Sequence, residues 1–115
     1  MKYLGNALSL GMLDELEHLP AVTLTVAALD NAAAAKWTAE NEWESCVGHA
    51  DTARLLSSLL AQDVQMRRVS TSLVVGDELL VAQYNGPRLP EGATSLPEGA
   101  RIRWMLVRVG LPCPT

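Results

Sequence analysis

Phenylalanine is missing from this chain, and three Trp and two Tyr are its only aromatic residues. With 49% of 115 residues hydrophobic, the core must therefore be built mainly from Leu, Val and Ala. Two cysteines, Cys46 and Cys113, are too few for a disulfide framework, which favours a reducing compartment. No apolar run approaches the length needed to span a bilayer, so no membrane association is expected. Lys2 and the apolar residues up to Leu13 faintly suggest a leader. Asn6 and Ser9 interrupt them, and no small-residue cleavage site precedes Asp14 and Glu15. The expected location is the cytoplasm.

Basic residues are also scarce, nine against thirteen acidic ones, for a net charge of -4. That balance argues against coating long nucleic acid, an affinity that comes largely from Lys and Arg neutralising phosphates. A small phosphate ligand in one local basic pocket stays open, because seven of the nine cations follow residue 50. There is no Walker loop and no G-x-G-x-x-G after a strand, which removes nucleoside triphosphate hydrolysis and dinucleotide binding. Cys46 and His49 make a C-x-x-H half-site, but His18 and Cys113 are remote, so no metal is expected. Cys46, between Trp43 and Val47, reads as a buried, inert thiol.

The length suits one domain, residues 1–115. Residues 2–5 read as a first strand. Leu10, Met12, Leu13, Leu16 and Leu19 predict a short helix from about Ser9 to His18, with Ser9 as cap and Pro20 as stop. Residues 22–26 alternate as a second strand. Asp30 or Asn31 can cap a helix over the alanines up to Lys36. Residues 37–44, acidic with two Trp among them, read as a loop or an irregular helical turn. Ala53, Leu56, Leu59 and Leu60 share one face of a helix after His49. Val69, Thr71, Leu73 and Val75 alternate as a third strand. Gly76-Asp77 then suggests a hairpin turn into a fourth strand over 79–84, so residues 68–84 are predicted to form an antiparallel hairpin. Ile102–Val109 is a fifth strand. The expected architecture is α/β, a single domain with about five strands in a mixed sheet flanked by helices.

Two places carry chemistry. His49 stands at the start of the most clearly amphipathic helix, where unpartnered backbone N–H groups and the helix dipole favour anions. It reads either as a cap or as a proton donor beside a bound phosphate. The loop Asn85-Gly86-Pro87-Arg88-Leu89-Pro90-Glu91-Gly92 carries a cation and a carboxylate three residues apart, either a surface ion pair or part of a site. A proton donor with local cations suits cleavage of an RNA-type phosphodiester by its own 2′-hydroxyl. The protein then need only align the substrate, stabilise phosphate charge and protonate the departing 5′-oxygen.

Three stretches together resemble the viral anti-CRISPR ring nuclease family, which includes bacterial relatives beside type III CRISPR systems. They are Tyr3-Leu4-Gly5-Asn6-Ala7-Leu8-Ser9 with Met12-Leu13; Gly48-His49-Ala50-Asp51-Thr52, through the leucine-rich helix to Arg68-Val69; and Gln83 with Arg88-Leu89 and Glu91-Gly92. The resemblance implies a homodimer that cleaves cyclic tetra-adenylate into linear di-adenylates without metal or cofactor, switching off type III CRISPR signalling. It makes His49 the general acid and places Arg88 and Glu91 in the active-site loop. Glu91 would orient His49, assist a proton transfer, or fix the loop through Arg88. Asn6, Ser9, Arg68 and Gln83 match ligand-binding positions. Residues 37–45 and 93–100 depart from the family pattern, the latter being richer in Pro and Gly than the helical segment expected there. A non-catalytic cyclic oligoadenylate-binding sensor or sponge is the alternative expectation, and a dimeric interaction module without ligand is a third.

Overall fold

Strand β4, Glu78–Asn85, organises the protein, and its Leu79-Leu80-Val81-Ala82 run is buried on both sides. Such a continuous apolar run belongs in a sheet covered on both faces. In the computed structural model, which describes residues 1–112, β4 is flanked by β1 (Lys2–Gly5), parallel to it, and by β5 (Arg101–Gly110), antiparallel. The two-residue β3 (Glu44–Ser45) pairs parallel with β1, and β2 (Thr23–Leu29) pairs antiparallel with β5. The sheet is mixed, in the order β2-β5-β4-β1-β3. Together with its three helices it is the single α/β domain expected.

Strand alternation sorts the apolar side chains between two cores. On one face Leu4, Leu80, Ala82, Trp104 and Leu106 meet Ala34 of helix α1 (Asn31–Glu40) and Ala53, Leu56 and Leu60 of helix α2 (Ala50–Leu60). On the other, Leu79, Val81, Val107 and Val109 meet Leu16 of a 3-10 helix, Leu10–Leu16, and Leu73. Asp30 caps α1, its Oδ1 accepting from the Ala33 N–H at 2.7 Å. Among the described residues no helix is long and apolar enough to cross a membrane.

Three local expectations need correction. The segment from Leu10 to Leu16 is a 3-10 helix rather than an α-helix to His18, and the Ser9 side chain makes no capping hydrogen bond. Residues 37–44 are more regular than predicted. Helix α1 runs on to Glu40, Asn41 Nδ2 donates to the Trp37 carbonyl, and Trp43 Nε1 donates to that of Thr38 at 3.0 Å, after which β3 follows. Helix propensity of the alanine run carries α1 as far as Glu40, and Glu42 and Glu44 follow its end.

The largest correction is the hairpin over 68–84, which does not form. Both edges of β4 are already taken, by β1 and β5, so residues 68–75 cannot pair with it. The Gly76-Asp77 turn does form, with the Asp77 N–H on the Val74 carbonyl and the Val74 N–H on Asp77 Oδ2. The segment before it is tied elsewhere, by a Val47–Met66 bridge and by the Leu73 N–H on the Met12 carbonyl at 2.8 Å. Leu73 is buried while Val69, Val74 and Val75 are exposed. The alternation therefore marks one anchoring residue on a connecting stretch.

Candidate functional site

Strands β1, β3 and β4 are parallel, so their carboxyl ends open onto the same edge of the sheet. That edge is where ligands bind in open α/β sheets. Asn6 follows β1, the Cys46–His49 connection follows β3, and the loop from Gly86 follows β4. The start of β5 lies there too, because Arg103 faces Gln83 and Arg101 faces Asn85 in the antiparallel register.

His49 occupies the N-cap position of α2, its carbonyl accepting from the Ala53 N–H at 3.0 Å. Its side chain makes no capping hydrogen bond and is exposed. The imidazole is thus left for other work at the positive end of the helix. The glycine just before it is held at both of its backbone polar groups. The Gly48 N–H donates to Asn6 Oδ1 at 3.2 Å, and the Gly48 carbonyl accepts from Arg68 Nε at 3.2 Å and Nη2 at 3.1 Å. A carbonyl does not neutralise a guanidinium, so Arg68 keeps a full positive charge one residue from His49.

The Arg88–Glu91 loop lies along the first turns of α2. Arg88, Leu89, Pro90 and Glu91 line an open cleft of about 470 Å³ with Asp51, and a Cβ at Gly92 would come within 3.5 Å of Arg54 Nη1. The Tyr84 hydroxyl anchors the loop by donating to the Pro87 carbonyl. Among the described residues Arg88 and Glu91 form no ion pair with each other or with another group. Residues 93–100 are irregular apart from a turn at 98–99, without a helix.

Gly86 sets where the loop leaves the sheet. At φ +151° it packs so tightly that a Cβ there would lie 2.6 Å from Ala100 Cβ and 2.7 Å from Ala100 Cα. Because one of those atoms is backbone, the loop must move to make room. Gly86→Ala is expected to lower stability by about 1–3 kcal/mol and to displace Arg88 and Glu91. Urea denaturation checks the first effect, and an unchanged midpoint would show that the loop yields freely.

The structure therefore joins Asn6, His49 and Arg68 directly through Gly48, and sets Arg88 and Glu91 beside the same helix. Gln83 shares a separate groove of about 280 Å³ with Asn6, next to Arg103. Ser9 is exposed at the start of the 3-10 helix and is not brought into contact with the others. Asp51, Arg54 and Arg103 were not singled out from the sequence. Asp51 sits in the first turn of α2, and Arg103 emerges only from the β4–β5 register. Cys46 fits the inert reading, since burial pushes its thiol pKa up against the smaller lowering influences of Thr71 and Arg67. Cys113 lies outside the described residues.

A mixed α/β sheet here gathers cations, amides and one unengaged imidazole at the carboxyl ends of its parallel strands, a set of groups with the chemistry to meet an anion. The chain belongs to the STIV B116-like family, whose model matches residues 2–101. Among solved structures it is similar to B116 of Sulfolobus turreted icosahedral virus, at 26% identity over 93% of this chain and 97% of that one, with a TM-score of 0.74. No curated protein sequence matches it. Membership in this viral family is compatible with the ring nuclease resemblance.

Proposed function

We propose that the protein is a metal-independent ring nuclease that opens cyclic tetra-adenylate and so ends type III CRISPR signalling in the cytoplasm. The observation that carries the reading is the free imidazole at the α2 N-terminus, with the preceding Gly48 held through its N–H by Asn6 and through its carbonyl by Arg68. A ribose 2′-oxygen attacks the adjacent phosphorus as its proton passes to a base or to water. The P–O5′ bond breaks, and the departing 5′-oxygen takes a proton from the His49 imidazolium. The ends formed are a 2′,3′-cyclic phosphate and a 5′-hydroxyl. Arg68, Arg88 and the free N–H groups of α2 stabilise the charge that grows on the phosphate oxygens. Glu91 works from the loop beside α2, on Arg88 or on the proton transfers.

The ligand is a four-fold ring, and the reading includes a homodimer that presents two His49 to opposite phosphates. Strand β2 offers an edge for such pairing. Its sequence TLTVAAL contains neither charge nor proline, it is bonded on one side only, and Val26 is 53% exposed. Sheet edges left this way invite another strand.

Incubation with cyclic tetra-adenylate in EDTA tests the proposal. Multiple turnovers to linear di-adenylates with 2′,3′-cyclic phosphate ends are expected. A ring that stays intact and unbound at stoichiometric protein would overturn the reading, whereas tight binding without cleavage would convert it to a sensor or sponge.

A further inference from the structure

We infer that Arg103 is a ligand-contacting residue of this site, holding a phosphate of the bound nucleotide while the groove beside it receives that nucleotide's base. The inference rests on the ring nuclease reading and extends it to a side chain on β5.

Burial on one face of the sheet decides where Arg103 points. Trp104 is only 2% exposed and packs on the helical side, so its neighbour in the strand must project from the opposite face. There it stands in register with Gln83 of β4, and both line the groove of about 280 Å³ with Asn6. The floor is apolar, from Val26, Val81 and Met105. The volume lies near the low end of the roughly 300–1,000 Å³ typical of small-molecule sites, suited to one nucleotide unit rather than a whole ring.

Charge is the second strand of the argument. The protein has thirteen carboxylates and nine Lys or Arg, and Arg103 is among the five of those nine, with Arg54, Arg68, Arg88 and Arg101, that no carboxylate meets among the described residues. Among the described residues the ion pairs engage the Met1 amine, Lys2, Lys36, Arg67 and Arg108, and none engages Arg103. Further along the same strand, Arg108 is met by Glu78 at 3.0 Å. An exposed guanidinium beside the Gln83 amide, with Asn6 beyond it across the same groove and an apolar floor below, has the chemistry for a phosphate joined to a planar base. The Gln83 amide offers both donors and an acceptor to a base edge, Asn6, its Oδ1 engaged by the Gly48 N–H, offers its Nδ2 donors, and the apolar floor supports the ring. The groove also connects to the cleavage centre. Asn6, which lines it, holds the Gly48 N–H beside His49 at 3.2 Å.

Binding separates this role from catalysis. Cyclic tetra-adenylate is titrated into His49→Ala protein with and without Arg103→Gln, between about 50 and 200 mM salt, with Lys36→Gln as a surface-charge control. Arg103→Gln is expected to weaken binding about 10–100-fold and to reduce the slope of log affinity on log salt by roughly 0.7, the loss of one phosphate contact. Arg103→Lys should keep the slope while losing part of the affinity, because the charge remains without the planar fork. An Arg103→Gln protein that binds within about two-fold of its parent, or no worse than Lys36→Gln, overturns the inference while the ring nuclease reading stands. A loss that accompanies a changed oligomeric state in sedimentation assigns Arg103 to a subunit contact and overturns it too. If unsubstituted protein neither binds nor cleaves the ring, the reading itself fails and takes this inference with it.

Discussion

His49→Ala is expected to slow single-turnover cleavage of cyclic tetra-adenylate by about 10²–10⁴-fold, the usual contribution of a positioned general acid, while leaving ring affinity and thermal stability nearly unchanged. The second half of that expectation comes from the helix start. His49 is the N-cap of α2 by backbone conformation, but its side chain makes no capping bond, so alanine forfeits none. A structural cap would behave otherwise, losing helix stability and every activity together. The contrast can be made sharper with His49→Asp. Aspartate is a preferred N-cap and should raise stability by about 0.5–2 kcal/mol relative to alanine. It should nonetheless be as inactive, because a carboxylate beside a phosphate brings like charge and no ready proton. Stability and activity would then move in opposite directions at one residue. A His49→Ala rate within a few-fold of the parent would refute the general-acid role.

Trp104→Ala should have the largest effect on folding, a loss of about 3–5 kcal/mol. That is a large share of the roughly 5–15 kcal/mol that holds a typical domain together. The indole is 2% exposed in the core shared by α1, α2 and the sheet, and its Nε1 donates to Asn31 Oδ1 at 3.3 Å. Trp104 faces Ala82 across the β4–β5 ladder and Leu29 across the β2–β5 ladder, so it ties three strands to the helical layer. Trp104→Phe keeps most of the volume and loses the hydrogen bond, and should cost less than the alanine change. Urea midpoints of the two variants give the comparison, and an alanine variant within about 1 kcal/mol of the parent would contradict the packing described. The consequence reaches the site. Trp104 is the anchor that turns Arg103 outward beside Gln83, so loosening it should weaken ligand binding even under conditions where the variant stays folded.

Much of this fold was legible in short stretches of sequence, for reasons particular to those stretches. Helix α2 shows its apolar face at helical spacing, with Ala53, Leu56 and Leu60 all buried as the spacing implies. Asp30 announces α1 because a carboxylate at an N-cap has a specific donor to meet, here the Ala33 N–H. Strand β5 is recognisable from its strongly hydrophobic run over 102–109. The segment 68–75 alternates apolar and polar residues and yet is not a strand. A strand needs a free edge as well as a pattern, and β1 and β5 occupy both edges of β4.

The candidate site divides along the same line. By itself the sequence determined that an imidazole stands at a helix N-terminus and that a charged, Pro- and Gly-rich loop follows a strand. These depend on neighbours within a few residues, where local stereochemistry acts. Only the tertiary structure decided that Asn6 and Arg68, 62 positions apart, hold the N–H and the carbonyl of Gly48. It alone set the Arg88–Glu91 loop along α2 and brought Arg103 opposite Gln83. Those pairings follow from strand order and register, which arise when both faces of the sheet are buried at once. Burial sums contributions from the whole chain, and no local pattern carries that sum.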